Sequence, residues 1–177
     1  EIMDGRVKTI SPLIEGGILG LRDIHSDDAE ANQIKWIDLV VCNLYPFSKT
    51  ISKEECDLAL ALENVDIGGP TMIRSAAKNV GWVCVAVNPS NYSTISDELQ
   101  SGEISFETRQ KLSAKAFGHT AQYDTIIHNY LKAENLSDDF SMTFEKHSEM
   151  RYGENPHQSA ASYKIPENNE PNILNAT

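Results

Sequence analysis

Two stretches hold polar residues at spacings suited to chemistry: Glu63-Asn64-Val65-Asp66-Ile67-Gly68-Gly69-Pro70-Thr71 and Arg151-Tyr152-Gly153-Glu154-Asn155-Pro156-His157-Gln158. In the first, an acid and two glycines precede a proline able to open a helix, the pattern by which backbone N–H groups are bared to an anionic ligand at a helix N-terminus. Asp66 has an equally ordinary use as the cap of that helix. Lys78 follows Pro70 by eight residues, roughly 12 Å along a helix axis, near an end where a cation offsets the macrodipole. For Lys78 to meet Asp66, either its side chain reaches back along the helix or the loop folds down beside it. Standing alone, Lys8 reads as a solvated loop lysine, and Tyr45, beside Pro46, reads equally as a turn aromatic packed over a strand end and as a site residue. Arg74 reads equally as a surface helix residue and as a phosphate contact. His25, His119 and His128 have no partner at catalytic spacing and read as structural histidines.

These residues need a frame that brings them together. Ile37-Asp38-Leu39-Val40-Val41-Cys42 is a short apolar run rich in β-branched residues, the signature of a buried strand in a parallel sheet. Pro46 ends it. Ser52 with Glu55 three residues later predicts a capping box for a helix running to about Asn64. Pro70 is expected as the first residue of a second helix through Lys78, and Val83-Cys84-Val85-Ala86-Val87 as the next buried strand. Strand, helix, loop, helix, strand is the rhythm of a layered α/β fold, in which ligands sit at the carboxyl ends of parallel strands.

Further along, Ser90 is expected to cap a short helix carrying Tyr92, Ile95 and Leu99, with Gly102 as its stop. A longer helix follows from Phe106 to Leu131, turning Leu112, Ala116, Ile126, Ile127 and Tyr130 toward the core. Asn135 to Asp139 is polar and acidic like an interdomain linker. Phe140, Met142 and Phe144 alternate with polar residues, which predicts a half-buried strand, and Pro166 to Pro171 reads as an exposed loop. There is no internal repeat.

Composition narrows the class. A chain of 177 residues with 40% hydrophobic content can bury one sizeable core and carry a short extension into another domain. The formal net charge of -11 argues against nucleic acid or an anionic membrane as partner, since such binding needs clustered Lys and Arg. An anionic substrate then requires a local positive pocket. Cys42, Cys56 and Cys84 form no CxxC pair and have no His at ligand spacing, so buried free thiols are expected rather than a disulfide framework or a zinc site. No apolar run approaches the length of a membrane span.

The motifs also fall in a telling order. Met3-Asp4-Gly5-Arg6-Val7-Lys8-Thr9, Gly16-Gly17-Ile18-Leu19, Asn43-Leu44-Tyr45-Pro46-Phe47, the Asp66 loop, Ala76-Ala77-Lys78-Asn79, His119-Thr120-Ala121-Gln122-Tyr123-Asp124 and the Arg151 stretch occur in that sequence. Through nearly its whole length the chain resembles the bifunctional purine-biosynthesis enzymes that join AICAR transformylase to inosine monophosphate (IMP) cyclohydrolase. The resemblance implies an α/β, methylglyoxal-synthase-like layered fold, a parallel sheet flanked by helices, over residues 1–134. It implies a linker at 135–139 and the first strands of a cytidine-deaminase-like transformylase domain over 140–177. It also implies that a leading strand-helix-strand of the cyclohydrolase domain, and nearly all of the transformylase domain, lie outside these residues.

The chemistry so implied is closure of formyl-AICAR to IMP with loss of water, the carboxamide nitrogen attacking the formyl carbon. Such a site stabilises a developing oxyanion, moves protons and holds a ribose phosphate, and preorganised donors suffice for the first without a metal. By the same resemblance Lys8 polarises the formyl oxygen, helped by backbone N–H groups from Arg6 to Thr9, and Tyr45 orients the carboxamide. Asp66 and Lys78 relay the proton. Gly68 and Gly69 let the backbone approach the base, and Asn43 and Ile67 complete the substrate-binding set. Arg151, Tyr152 and His157 match residues that line the AICAR site of the transformylase half, whose co-substrate is 10-formyltetrahydrofolate and whose catalytic pair lies past Thr177. No cofactor is expected for the cyclohydrolase. A cytoplasmic homodimer is implied, with small molecules rather than nucleic acid or membrane as partners.

Two positions depart from the family pattern. Ser11 and Glu15 stand where histidines are usual, replacing two cationizable groups near the Lys8 loop by a hydroxyl and an acid. This bears on substrate affinity more than on reaction class. The alternative function is a non-catalytic, methylglyoxal-synthase-like ligand-binding module of the allosteric kind, which keeps the glycine loop but has no need of Lys8, Asp66 and Lys78 together.

Overall fold

The computed structural model describes residues 6–7, 9–132 and 138–166. The chain divides into two compact units, Glu1–Tyr123 and Asp124–Thr177. The first is α/β, built on a parallel pair of strands, β1 (Leu39–Val41) and β2 (Cys84–Ala86), with Leu39 opposite Cys84 and Val41 opposite Ala86. Each expected strand is present but trimmed to three residues.

Helices meet both faces of this pair. Val40, Val83 and Val85 join Ile73, Ala76 and Ala77 of α5 (Gly68–Lys78), Ile18 of α1 (Pro12–Leu19) and Ala116 of α7 (Phe106–Leu131). Cys84 and Ala86 turn the other way, to Ile95 of α6 (Tyr92–Gln100), Ile104 and Leu112 of α7. Every residue of β2 is therefore buried, which is why the run reads as continuously apolar rather than alternating. On α5, Ile73, Ala76 and Ala77 form the buried stripe while Arg74 and Lys78 stay exposed, the usual one-sided pattern at helical spacing. Asn79, 5% exposed, follows α5 and ties α1 to it. Its Nδ2 donates to the carbonyls of Ile18 at 2.7 Å and Gly20 at 3.1 Å, which the end of α1 leaves open.

Local signals set the connections, with corrections. The Ser52 capping box is not used: Phe47, 2% exposed, opens α3 (Phe47–Ile51), and the Ser52 hydroxyl closes it by donating to the Lys49 carbonyl at 3.1 Å. Burying a phenylalanine ring stabilises by about 2–3 kcal/mol, more than the ~1 kcal/mol of a cap. The next helix, α4 (Leu58–Glu63), takes Asp57 as its cap, Oδ1 accepting from Leu60 N at 2.8 Å. Pro70 stands third in α5, not first, and is tolerated there because first-turn N–H groups lack intrahelical partners. Asn88 rather than Ser90 caps the chain's entry to α6, accepting from Ser90 N at 2.9 Å ahead of a 3-10 turn at Pro89–Asn91. Gly102, at φ 125°, follows α6 as expected, and α7 runs over the expected span with Leu112 and Ala116 buried and Ile126, Ile127 and Tyr130 half-buried. A short helix not anticipated, α2 (Ser26–Ala31), carries Asp27 and Asp28 in its first turn, where acids offset the dipole.

In the second unit β3 (Glu145–Met150) and β4 (Ala160–Lys164) form an antiparallel pair, Glu145 opposite Lys164, with an irregularity between Lys146 and Ser148. Polar pairs hold it: Lys164 Nζ lies 3.0 Å from Glu145 Oε1, and the hydroxyls of Ser148 and Ser162 are 2.8 Å apart. The strand expected over Phe140 to Phe144 is corrected, since those residues form no strand and Phe140 and Phe144 are 72% and 56% exposed. Alternation alone does not make a strand; ladder partners do, and these begin at Glu145. Of the expected linker, residues 135–137 lie outside the described residues, as does the expected loop beyond Pro166.

Candidate active site

Asp66 lies in the short link between α4 and α5 and is half-buried. Its Oδ1 accepts from the Gly69 amide at 2.8 Å and its Oδ2 from the Tyr45 amide at 3.3 Å. Its own amide donates to the Tyr123 hydroxyl at 2.9 Å. The first of these bonds is the helix cap foreseen for an acid at this position. The second turns the carboxylate toward the segment after β1, so that Asp66 bridges the carboxyl-end loop of a strand and the N-terminus of a helix. The negative charge is felt at the strand end: the Cys42 thiol is pushed above its ordinary value, first by burial and then by Asp66.

The two glycines are required by protein contacts. A Cβ on Gly69 would stand 2.5 Å from Asp66 Oδ2 and 2.8 Å from Leu44 Cδ2, and a Cβ on Gly68 would collide with Thr9 Oγ1. Thr9 thus packs directly on Gly68. Arg6 is drawn to the same place, its Nη2 2.7 Å from Glu63 Oε2 at the end of α4, with both side chains exposed. Arg6, Thr9, Tyr45, Asp66, Ile67, Gly68 and Gly69 accordingly gather around one loop, Asn43 lying exposed in the turn before Tyr45. Lys8 falls between Arg6 and Thr9 but lies outside the described residues. The Tyr45 side chain is 55% exposed, open to a ligand while its backbone orients the acid.

Lys78 is not brought to Asp66. It is exposed in the last turn of α5 and makes no ion pair with Asp66; Asp66 caps the other end of that helix. Neither of the two routes open in the sequence is taken: the loop does not fold down beside the helix, and no hydrogen bond or ion pair joins the Lys78 side chain to Asp66. Arg74 stands over the Phe117 ring at 5.4 Å. Glu15, on α1, accepts from the Ser75 hydroxyl on α5 at 2.5 Å, and Ser11 caps α1 by accepting from Leu13 N at 3.3 Å. Both departures from the family pattern thus have structural uses.

Tyr123 was not singled out for any role in the sequence. It is 7% exposed and packs edge-on to Phe47 at 6.3 Å, holding the Asp66 amide from 57 residues away. One turn earlier, His119 is half-buried, its Nε2 has no hydrogen-bond partner, and burial holds its pKa below the ordinary imidazole value. His25 is a structural histidine, Nδ1 accepting from Leu21 N at 3.0 Å. Burial pushes the Cys84 thiol up to about 11, so it is inert at neutral pH. Among the described residues no group of three or more His, Cys, Asp or Glu is placed to hold a metal ion, and no helix is long and apolar enough to cross a membrane.

Within the second unit, the turn between β3 and β4 is closed by Gly153 N donating to the Gln158 carbonyl at 2.8 Å and Asn155 N to Gln158 Oε1 at 2.9 Å. Arg151 and His157 line a polar cleft of about 510 Å³, and Arg151 lies 5.9 Å from the Tyr152 ring. All three residues are exposed.

A family model described as AICARFT/IMPCHase bienzyme matches residues 76–177. The bifunctional purine biosynthesis protein PurH of Bacillus cytotoxicus is 53% identical over 172 residues, and that of Bacillus cereus strain AH187 is likewise 53% identical. Each match covers 94% of this chain and 34% of the relative, so the chain spans about a third of the length of these curated relatives. A solved structure described as the crystal structure of ForH is similar at a TM-score of 0.65 and 32% identity, over 72% of this chain and 67% of that one.

Proposed function

The chain belongs to the AICARFT/IMPCHase bienzyme family, and from that premise we propose that the Asp66 loop carries the IMP cyclohydrolase step. Lys8 polarises the formyl oxygen of formyl-AICAR, with backbone N–H groups of Arg6 to Thr9 beside it, as the carboxamide nitrogen attacks the formyl carbon. Tyr45 orients the carboxamide. Asp66 receives a carboxamide proton, a task for which geometry comes first. Lys78 enters the proton relay by reaching back along α5, and water leaves as the ring closes. Asn43, Ile67, Gly68 and Gly69 complete the pocket.

The observation that carries this reading is the aim of the Asp66 carboxylate, held by the Tyr45 and Gly69 amides beside Thr9 on Gly68. A regulatory module would keep the glycine loop but has no need of Lys8, Asp66 and Lys78 together. The fold we assign to residues 1–134 is methylglyoxal-synthase-like, followed by a linker at 135–139 and by a cytidine-deaminase-like start at 140–177. In the latter, Arg151, Tyr152 and His157 take part in binding AICAR for formyl transfer from 10-formyltetrahydrofolate. The protein acts as a cytoplasmic homodimer on small molecules. The test is absorbance-monitored conversion of formyl-AICAR to IMP by the protein at its relatives' length. Lys8→Ala is expected to lower turnover by at least about a hundredfold, and a fewfold change would return Lys8 to a solvated loop residue.

A further inference from the structure

The bond from the Asp66 amide to the Tyr123 hydroxyl spans 57 residues of sequence, and it belongs to a closed circuit. Tyr45 N–H donates to Asp66 Oδ2, and Asp66 N–H donates to Tyr123. The Tyr123 ring meets Phe47 edge-on at 71°, and Phe47 N–H returns to the Tyr45 carbonyl at 2.7 Å. Three segments are tied in this way: the turn after β1, the link before α5, and α7. The carboxylate's two protein bonds set its rotation about the side chain, but the Asp66 backbone must be fixed before that rotation means anything. Ile67 is 60% exposed, so packing on the next residue does not fix it.

We infer that Tyr123 is a positioning residue for the cyclohydrolase reaction, its buried hydroxyl holding the Asp66 backbone so that the carboxylate faces the Tyr45 side of the pocket. The inference rests on the proposed role of Asp66. Removing the hydroxyl while keeping the ring preserves the contact with Phe47 and strands the Asp66 amide without its acceptor, a loss felt at the carboxylate rather than at substrate affinity.

The experiment is Tyr123→Phe in the protein at its relatives' length, alone and with Asp66→Asn. The expected result is a roughly tenfold fall in kcat, the scale of one lost hydrogen bond. The KM for formyl-AICAR should stay within about twofold, and hydrogen exchange at the Asp66 amide should speed up. In the Asp66→Asn background Tyr123→Phe should add nothing, because residues acting as a unit are non-additive. Should Tyr123→Phe lower the yield of folded protein, 4-aminophenylalanine at the same position keeps the shape, puts a poorer acceptor in place of the hydroxyl oxygen and is read the same way. Wild-type kcat for Tyr123→Phe beside a severe Asp66→Asn, or an additive double variant, overturns the positioning role alone. Wild-type turnover by Asp66→Asn overturns the role of Asp66 and this inference with it.

Discussion

The Asp66 loop and the Arg151 turn both present polar side chains at the ends of regular elements, yet they are held by different means. Asp66 is fixed by groups 3, 21 and 57 residues away in sequence, and its glycine neighbours are walled in by Thr9, Leu44 and Asp66 itself. The turn carrying Arg151, Tyr152 and His157 is closed by hydrogen bonds among Gly153, Asn155 and Gln158. The β3 strand that leads into it is exposed throughout. Geometry set by distant partners is sensitive to change anywhere along the circuit. Geometry set by neighbours in the chain keeps a disturbance local.

The largest effect that tests this contrast is Asp66→Asn, expected to lower cyclohydrolase turnover about a thousandfold, within the range for a lost general base, while formyl transfer changes little. Lys78→Met is the companion. If Lys78 reaches back into one relay with Asp66, the double variant should be little worse than either single one; additive losses in turnover would show that the length of α5 keeps the two apart.

Gly69→Ala should come next. Its Cβ would lie 2.5 Å from Asp66 Oδ2 and 2.8 Å from Leu44 Cδ2, so overpacking of about 1–3 kcal/mol is expected in a urea titration, with loss of turnover as the carboxylate is displaced. At Gly153 the nearest atom is Gln158 Cβ at 3.1 Å, and Gly153→Ala should be the milder change. A reversed order would mean that the two regions are not held as differently as their bonding indicates.

A smaller effect is expected from pH. The folded-state pKa of His119 is lowered by burial, so the unfolded chain takes up its proton first. Stability from this group is complete above the unfolded value near pH 6.5 and is lost as pH falls through the folded value. His119→Gln should flatten that part of the stability profile; an unchanged profile would assign the loss to other groups. The smallest effect belongs to Arg6→Ala, because the pair with Glu63 is 66% and 60% exposed and such pairs contribute about 0–1 kcal/mol. The chemical-denaturation midpoint should scarcely move.

Much of this was legible in the residues. Val83 to Val87 read as a buried parallel strand because both faces must be apolar when helices cover both; Ile37 to Cys42 read the same way, yet in β1 Val40 is buried while Val41 is 52% exposed. Phe106 to Leu131 read as one helix from its spacing, and Asp66 as a cap from its place before Gly68 and Pro70. The errors were also physical. Ser52 and Glu55 had the form of a capping box, but Ser52 closes the separate helix α3 and the helix ending before Asn64 begins downstream, capped by Asp57. Phe140, Met142 and Phe144 had strand alternation, but ladder partners began only at Glu145.

The sequence by itself determined the family, the class of fold and the residue types available to the site, because these follow from short-range pattern and motif order. Tertiary structure decided which groups meet. Tyr123 carries no local sign that its hydroxyl will accept from Asp66, whereas the eight-residue spacing from Pro70 to Lys78 already sets that lysine along the helix from the acid. A hydrogen bond across 57 residues depends on the packing of α7 and α3 against the loop, and spacing along a chain does not encode distances that chain closure creates.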